Sequence, residues 1–184
     1  MRVAPMPTMR CQVGKPGVLG VVDLNCGWYS LRSVLGYHFR RISGQDMRHS
    51  HLPKPTLAAF HPRDDLPDNL RQRVTRSNKP GNVGDWITQL QTNGPIVVSG
   101  KLGAASWGRL PGLGTKLGVG HFILIVGAHA GPWAGGGQLI YKDPLQGDHI
   151  RHHSFTEMNS RIDNDVYYVT RQNAPALLHA LQAT

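Results

Sequence analysis

Three residues of this sequence have the types that nucleophilic acyl chemistry requires: Cys26, His121 and Asp143. A thiolate attacks a carbonyl carbon, an imidazole shuttles the proton, and a carboxylate holds the imidazole in one tautomer. The three must meet in space, so the elements that carry them decide whether the chemistry is available. Cys26 opens the segment CGWYSLRSVLGYHF, in which Leu31, Val34, Leu35 and His38 recur at helical spacing behind Asp23 and Asn25, both suitable N-caps. The spacing predicts a buried helix that starts at the thiol. There the positive end of the helix dipole favours thiolate over thiol, and the backbone N–H of Cys26 can point at an oxyanion.

His121 opens the run HFILIVG, ending at Gly127, which is too short for a free-standing helix and strongly β-prone. It reads as a central buried strand with the histidine at its first position. Gln138 to Lys142 (QLIYK) returns antiparallel after a glycine-rich loop over 131–137 and runs into Asp143-Pro144, where the proline ends the pairing. With 22 positions separating His121 from Asp143, the hairpin can bring the carboxylate to the imidazole N–H.

The remaining elements are coarser. Residues 1–19 read as an extended lead-in able to contribute one short strand, and 20–184 as a single domain. A short helix is expected around Leu66 to Arg76, and a second over Gly84 to Gln91 with Trp86, Ile87 and Leu90 on one face. Asn93-Gly94-Pro95 stops that helix before a β-branched strand over Pro95 to Gly100. Further strands are expected near His152 to Phe155 and Val166 to Thr170, with a terminal helix over Ala174 to Ala183. The glycine-rich stretch from Lys101 to Gly120 reads as a loop over one face, in the place where a lid or an inhibitor would act. A helix followed by a small antiparallel sheet is an α+β plan.

Composition narrows the function classes. The 184 residues carry 20 Lys+Arg against 11 Asp+Glu, a net charge of +9. Such a balance invites nucleic acid, yet the basic residues at Arg40-Arg41, Arg48 and Arg71 to Lys79 lack aromatic interleaving or a helix-turn-helix pattern. They read as a solvated face, or in a functional version as one drawn to an acidic protein, a membrane surface or the anionic cell wall, and no specific nucleic acid is expected. Two cysteines, Cys11 and Cys26, cannot build a disulfide framework, and Cys11 reads as structural or idle. His149, His152 and His153 with Asp148 do not make a closed zinc pattern, so neither a metal nor another cofactor is expected. No run approaches the roughly 18 apolar residues of a membrane span. Met1 to Pro7 lacks the apolar core of a secretory signal, so export would need a signal-peptide-independent route.

Taken together, the run Asn25 to Ser30 (NCGWYS), the segment Gly94 to Val98 (GPIVV), the strand Gly120 to Gly127 (GHFILIVG) and the run Tyr141 to Leu145 (YKDPL) resemble the papain-like cysteine peptidases. The branch they look most like is the short bacterial one that includes bacteriocin-processing peptidases and pathogen effector proteases. The likeness spans about Asp23 to Tyr168, in Cys, His, Asp order. It implies a papain-like fold with an N-terminal helix carrying the cysteine, packed on a small antiparallel sheet carrying the histidine and aspartate. Carried over by position, Cys26 resembles the nucleophile, His121 the general base and acid, and Asp143 the orienting member.

The family's oxyanion glutamine has no counterpart at the usual place, which is Gly20, and the nearest preceding glutamine is Gln12. Gln12, Asn25 or a backbone donor would take that role. Trp28 and Gly120 are the positions expected to touch substrate, although Trp28 and Tyr29 also suit a core or cleft wall. The resemblance implies a peptidase, acting as an effector or toxin domain on a protein of a target cell, with an immunity or inhibitor protein as a further partner. The same triad would serve glutamine deamidation or cell-wall amide cleavage, because each attacks a carboxamide. The non-enzymatic alternative is a basic binding module with an incidental Cys-His pair.

Overall fold

The computed structural model describes residues 1–2, 6–9, 25–47, 60–102, 121–132 and 136–182. Its elements run α1 (Cys26–Ser43), α2 (Asp68–Arg71), β1 (Thr75–Asn78), α3 (Val83–Asn93), β2 (Ile96–Gly100), β3 (His121–His129), β4 (Gln138–Lys142), β5 (Ile150–Ser154), α4 (Phe155–Arg161), β6 (Ile162–Tyr168) and α5 (Asn173–Gln182). The strands form one antiparallel sheet in the order β1-β6-β2-β3-β4-β5, with α1 and α3 both packed on β3.

Helix α1 forms because Leu31, Val34, Leu35 and His38 make one buried stripe. It starts at the Asn25 N-cap and stops at Gly44, whose left-handed backbone (φ 70°) lets its N–H reach the Arg40 carbonyl. Arg40 and Arg41 occupy the last turn, and the first turn holds no acidic side chain. The basic end thus complements the dipole, while its positive end is left to Cys26. In α3, Asn82 caps the helix by accepting from the Asp85 N–H at 2.9 Å, and Trp86 and Leu90 face the core. At the far end a Cβ on Gly94 (φ 87°) would lie 2.4 Å from the Tyr37 ring, so only glycine lets the chain turn this tightly against α1 into β2.

Ile123 to Val126 of β3 are wholly buried, as a strand flanked by neighbours and covered on both faces requires. Three elements differ from the sequence expectation. The helix expected over 66–76 ends at Arg71, and Thr75–Asn78 extend instead as an edge strand paired with Tyr168 back to Asp165. The strand expected through Phe155 ends at Ser154, and Phe155 begins α4. The last strand starts earlier, at Ile162, because its outer residues pair with β1 and with Gly100 of β2. In the first and third cases tertiary pairing overrides local propensity. Of the lead-in, Arg2 bridges Gly127 antiparallel and Met9 is buried in the core.

Candidate active site

The sheet register brings His121 and Asp143 to one place. Leu124 of β3 pairs with Lys142 of β4, so Asp143 falls opposite Ile123, two residues along the same face from His121. Nε2 of His121 lies 2.7 Å from Oδ1 of Asp143. A carboxylate only accepts, so Nε2 carries the proton. Asp143 is 0% exposed and His121 6%. The same Oδ1 accepts the Leu145 N–H at 2.9 Å, which locks the carboxylate against its own turn.

Cys26 is the imidazole's other side-chain hydrogen-bond partner, which leaves Nδ1 as the nitrogen facing the sulfur. The thiol also receives the backbone N–H of Phe122 at 3.4 Å, so α1 and β3 meet at the reacting atom. Burial by itself pushes the imidazole toward its neutral form. The hydrogen bonds and charges of Asp143 and Cys26 outweigh it and raise His121 from 6.5 to about 9. At neutral pH the site therefore holds an imidazolium between a carboxylate and a sulfur.

One further segment borders the thiol. The carbonyl of Phe60 passes directly over Gly27, and the Phe122 side chain closes on the same spot. The His61 ring stands edge-on to Phe122 and Tyr167, with centroids 5.6 and 5.0 Å apart. Nδ1 of His61 lies 3.0 Å from the Asp64 backbone nitrogen and 3.2 Å from its Oδ2, and Nε2 is hydrogen-bonded with the Tyr167 hydroxyl at 3.1 Å. Phe122 is partly exposed where the next four residues of β3 are buried, and this gives the site an aromatic wall.

The structure thus brings together Cys26, His121 and Asp143. Asn25 is buried immediately before the thiol, at the N-cap. The first intrahelical bond runs from the Tyr29 N–H to the Asn25 carbonyl, so the amides of Cys26 and Gly27 precede the helix's own ladder. Trp28, expected at the substrate, is corrected: it is 2% exposed in the core, edge-on to Tyr29 and beneath the Arg32 guanidinium. An indole one turn into a helix points wherever the helix packs, and α1 packs it inward. Gln12, Gly120 and Cys11 lie outside the described residues. Of the histidine cluster, His152 meets Arg2 at 3.1 Å and His153 faces Glu157 at 3.6 Å.

Phe122 was read only as part of the strand that follows His121, and His61 lies in no run that marks chemistry, so neither was expected at the site. Lys142 was read only as the end of a strand, yet it is buried beside the aspartate.

No protein-family model matches the chain, and no curated protein does. Among solved structures it is similar to a papain-like cysteine peptidase from work on antibody cross-reactivity between the mite allergens Blo t 1 and Der p 1. The two share 12% identity at a TM-score of 0.50, over 90% of this chain and 67% of that one. At that identity the likeness speaks to the fold, which is papain-like, and it does not extend to the bacterial branch.

Proposed function

We propose that this protein is a thiol hydrolase, a peptidase that cleaves an amide through a thioester on Cys26. The observation that carries the reading is the buried His121–Asp143 contact at 2.7 Å with Cys26 as the other partner of the same imidazole, at the first residue of a helix. Few structural roles call for a buried, charged imidazole bonded on one side to a carboxylate and on the other to a thiol.

In this reading the Cys26 sulfur attacks the carbonyl carbon, and the carbonyl π pair moves onto oxygen. The amides at the start of α1 meet that oxyanion, with Asn25 or Gln12 as the side-chain donor. Collapse re-forms the carbonyl, breaks the C–N bond and hands the imidazolium proton to the leaving amine. Water then attacks the thioester while His121 takes its proton, the C–S bond breaks with its electron pair on sulfur, and the acid leaves with the thiolate–imidazolium pair restored. Asp143 keeps its charge throughout and holds Nε2–H. Phe122 and His61 offer the bound chain an apolar, aromatic surface beside the sulfur.

Incubation with a denatured protein substrate and peptide mass mapping test the reading. Fragments made by the parent and lost in Cys26→Ala, with folding retained, are expected. Mass gains of about one dalton without fragments would move the chemistry to deamidation of side chains. Equal fragment yields from parent and Cys26→Ala would remove the thiol mechanism.

A further inference from the structure

Lys142 is 2% exposed, an unusual place for an ammonium, since removal from water is costly unless acceptors replace it. One of its acceptors comes from the turn just after it and the other from a segment 135 residues away. Nζ donates to the Pro7 carbonyl at 2.7 Å and to Oδ1 of Asp148 at 2.5 Å. The same Asp148 oxygen accepts the Met9 N–H at 2.8 Å, and the Met9 sulfur packs 3.4 Å from Oγ of Ser33 on α1, whose hydroxyl donates to the Tyr29 carbonyl at 2.9 Å. One buried cation thus links the end of β4, the turn before β5, and residues 7–9 lying on the helix that carries Cys26.

The turn so held is the one that presents Asp143. Lys142 pairs with Leu124 on one side and Ile150 on the other, and the chain between them contains Asp143 and Asp148. At the near end the Asp143 carbonyl accepts the Gln146 N–H at 2.8 Å, and its carboxylate accepts that of Leu145. At the far end the only side-chain tie of Asp148 to β4 among the described residues is Lys142. A methionine would fill the same space without making that tie.

We infer that Lys142 is a positioning residue: its ammonium, clasping Asp148 and Pro7, holds the β4–β5 turn so that the Asp143 carboxylate stays on His121. The inference rests on the thiol-hydrolase reading above. It assigns no contact between Lys142 and substrate; the lysine acts through the aspartate.

The test uses carboxymethylation of the full chain by iodoacetate from pH 5 to 10, with peptide mapping to separate Cys26 from Cys11. An anionic reagent is drawn to the imidazolium, so its rate at Cys26 falls as His121 loses its proton. In Lys142→Met the descending limb is expected at lower pH than in the parent, and the maximal rate lower by on the order of tenfold. Lys142→Arg, which keeps the cation, restores most of both. A folded Lys142→Met whose profile overlays the parent's overturns the inference. Should that variant not fold, Asp148→Asn leaves the lysine its Pro7 acceptor, and the same two outcomes decide. If the parent's Cys26 reacts no faster than Cys11 at pH 6, the hydrolase reading falls and the clasp's role with it; a reactive parent with indifferent variants sinks the clasp alone.

Discussion

A Cβ on Gly27 would stand 2.1 Å from the carbonyl oxygen of Phe60, closer than any real contact of that kind. The residue after the thiol must therefore be glycine for the 60–62 segment to lie over the start of α1. Gly27→Ala gains helix propensity and still loses, because the obstacle is backbone and cannot swing aside. We expect a destabilisation of about 1–3 kcal/mol, seen in thermal melts, together with slowed alkylation of Cys26 as the helix start is displaced. A variant with parent-like melting and reactivity would show that the segment yields freely.

The buried carboxylate of Asp143 holds the His121 proton by charge as well as by geometry. Asp143→Asn keeps the shape and removes the charge, so the imidazole loses its proton below about 9. Hydrolysis should fall by about 10²-fold or more, with the alkaline limb of the pH–rate profile moved to lower pH. An unmoved limb would mean that Asp143 does not govern the imidazole.

Two buried histidines push stability in opposite directions with pH. Burial and the nearby Arg41 lower His38 from 6.5 to about 4. The unfolded chain then binds a proton that the fold refuses, and stability falls as pH drops from 6.5 toward 4, by roughly 3 kcal/mol from this residue. His121 is raised to about 9, so its contribution is complete below 6.5 and is lost as pH climbs through 9. Melting temperature should peak near pH 6.5. His38→Leu should flatten the acid side of that curve and leave the alkaline side in place; an acid side unchanged by the substitution would remove His38 as its source.

Lys79 holds the C-terminal end of α4, with Nζ donating to the carbonyls of Asn159 at 2.8 Å and Ile162 at 2.6 Å. Those carbonyls belong to the end of a helix that leaves them without helical partners. Lys79→Met keeps the aliphatic stem and strips the donor. A loss of about 1–3 kcal/mol in denaturant unfolding is expected, with Cys26 reactivity unchanged because α4 lies outside the site.

Much of the architecture was legible where the signal is local. The stripe Leu31, Val34, Leu35, His38 marked α1, Asn93-Gly94-Pro95 marked the end of α3, and unbroken apolar residues after His121 marked a strand buried on both faces. The polar run Thr75–Asn78 gave no such mark. It is a strand because Asp165 to Tyr168 of β6 offer it an open edge and Arg76 pairs with Asp165 across the gap. Phe155 continues a β-prone run in sequence, yet it starts a helix where the chain crosses from the β5 edge to reach β6.

For the candidate site, the residue types and the elements that hold them could be read locally: a thiol at a helix start, a histidine at a strand start, an aspartate where proline ends the returning strand. Each of those readings depends on neighbours within a few positions, where periodicity and capping act. Strand pairing in the folded chain set His121 and Asp143 on one face, because a single step in the β3–β4 register would have turned one of them away. It also decided that Trp28 is core, that Phe60 crosses Gly27, and that Lys142 is buried against a carbonyl 135 residues away. Those outcomes come from packing between segments remote in the chain, which no local pattern encodes.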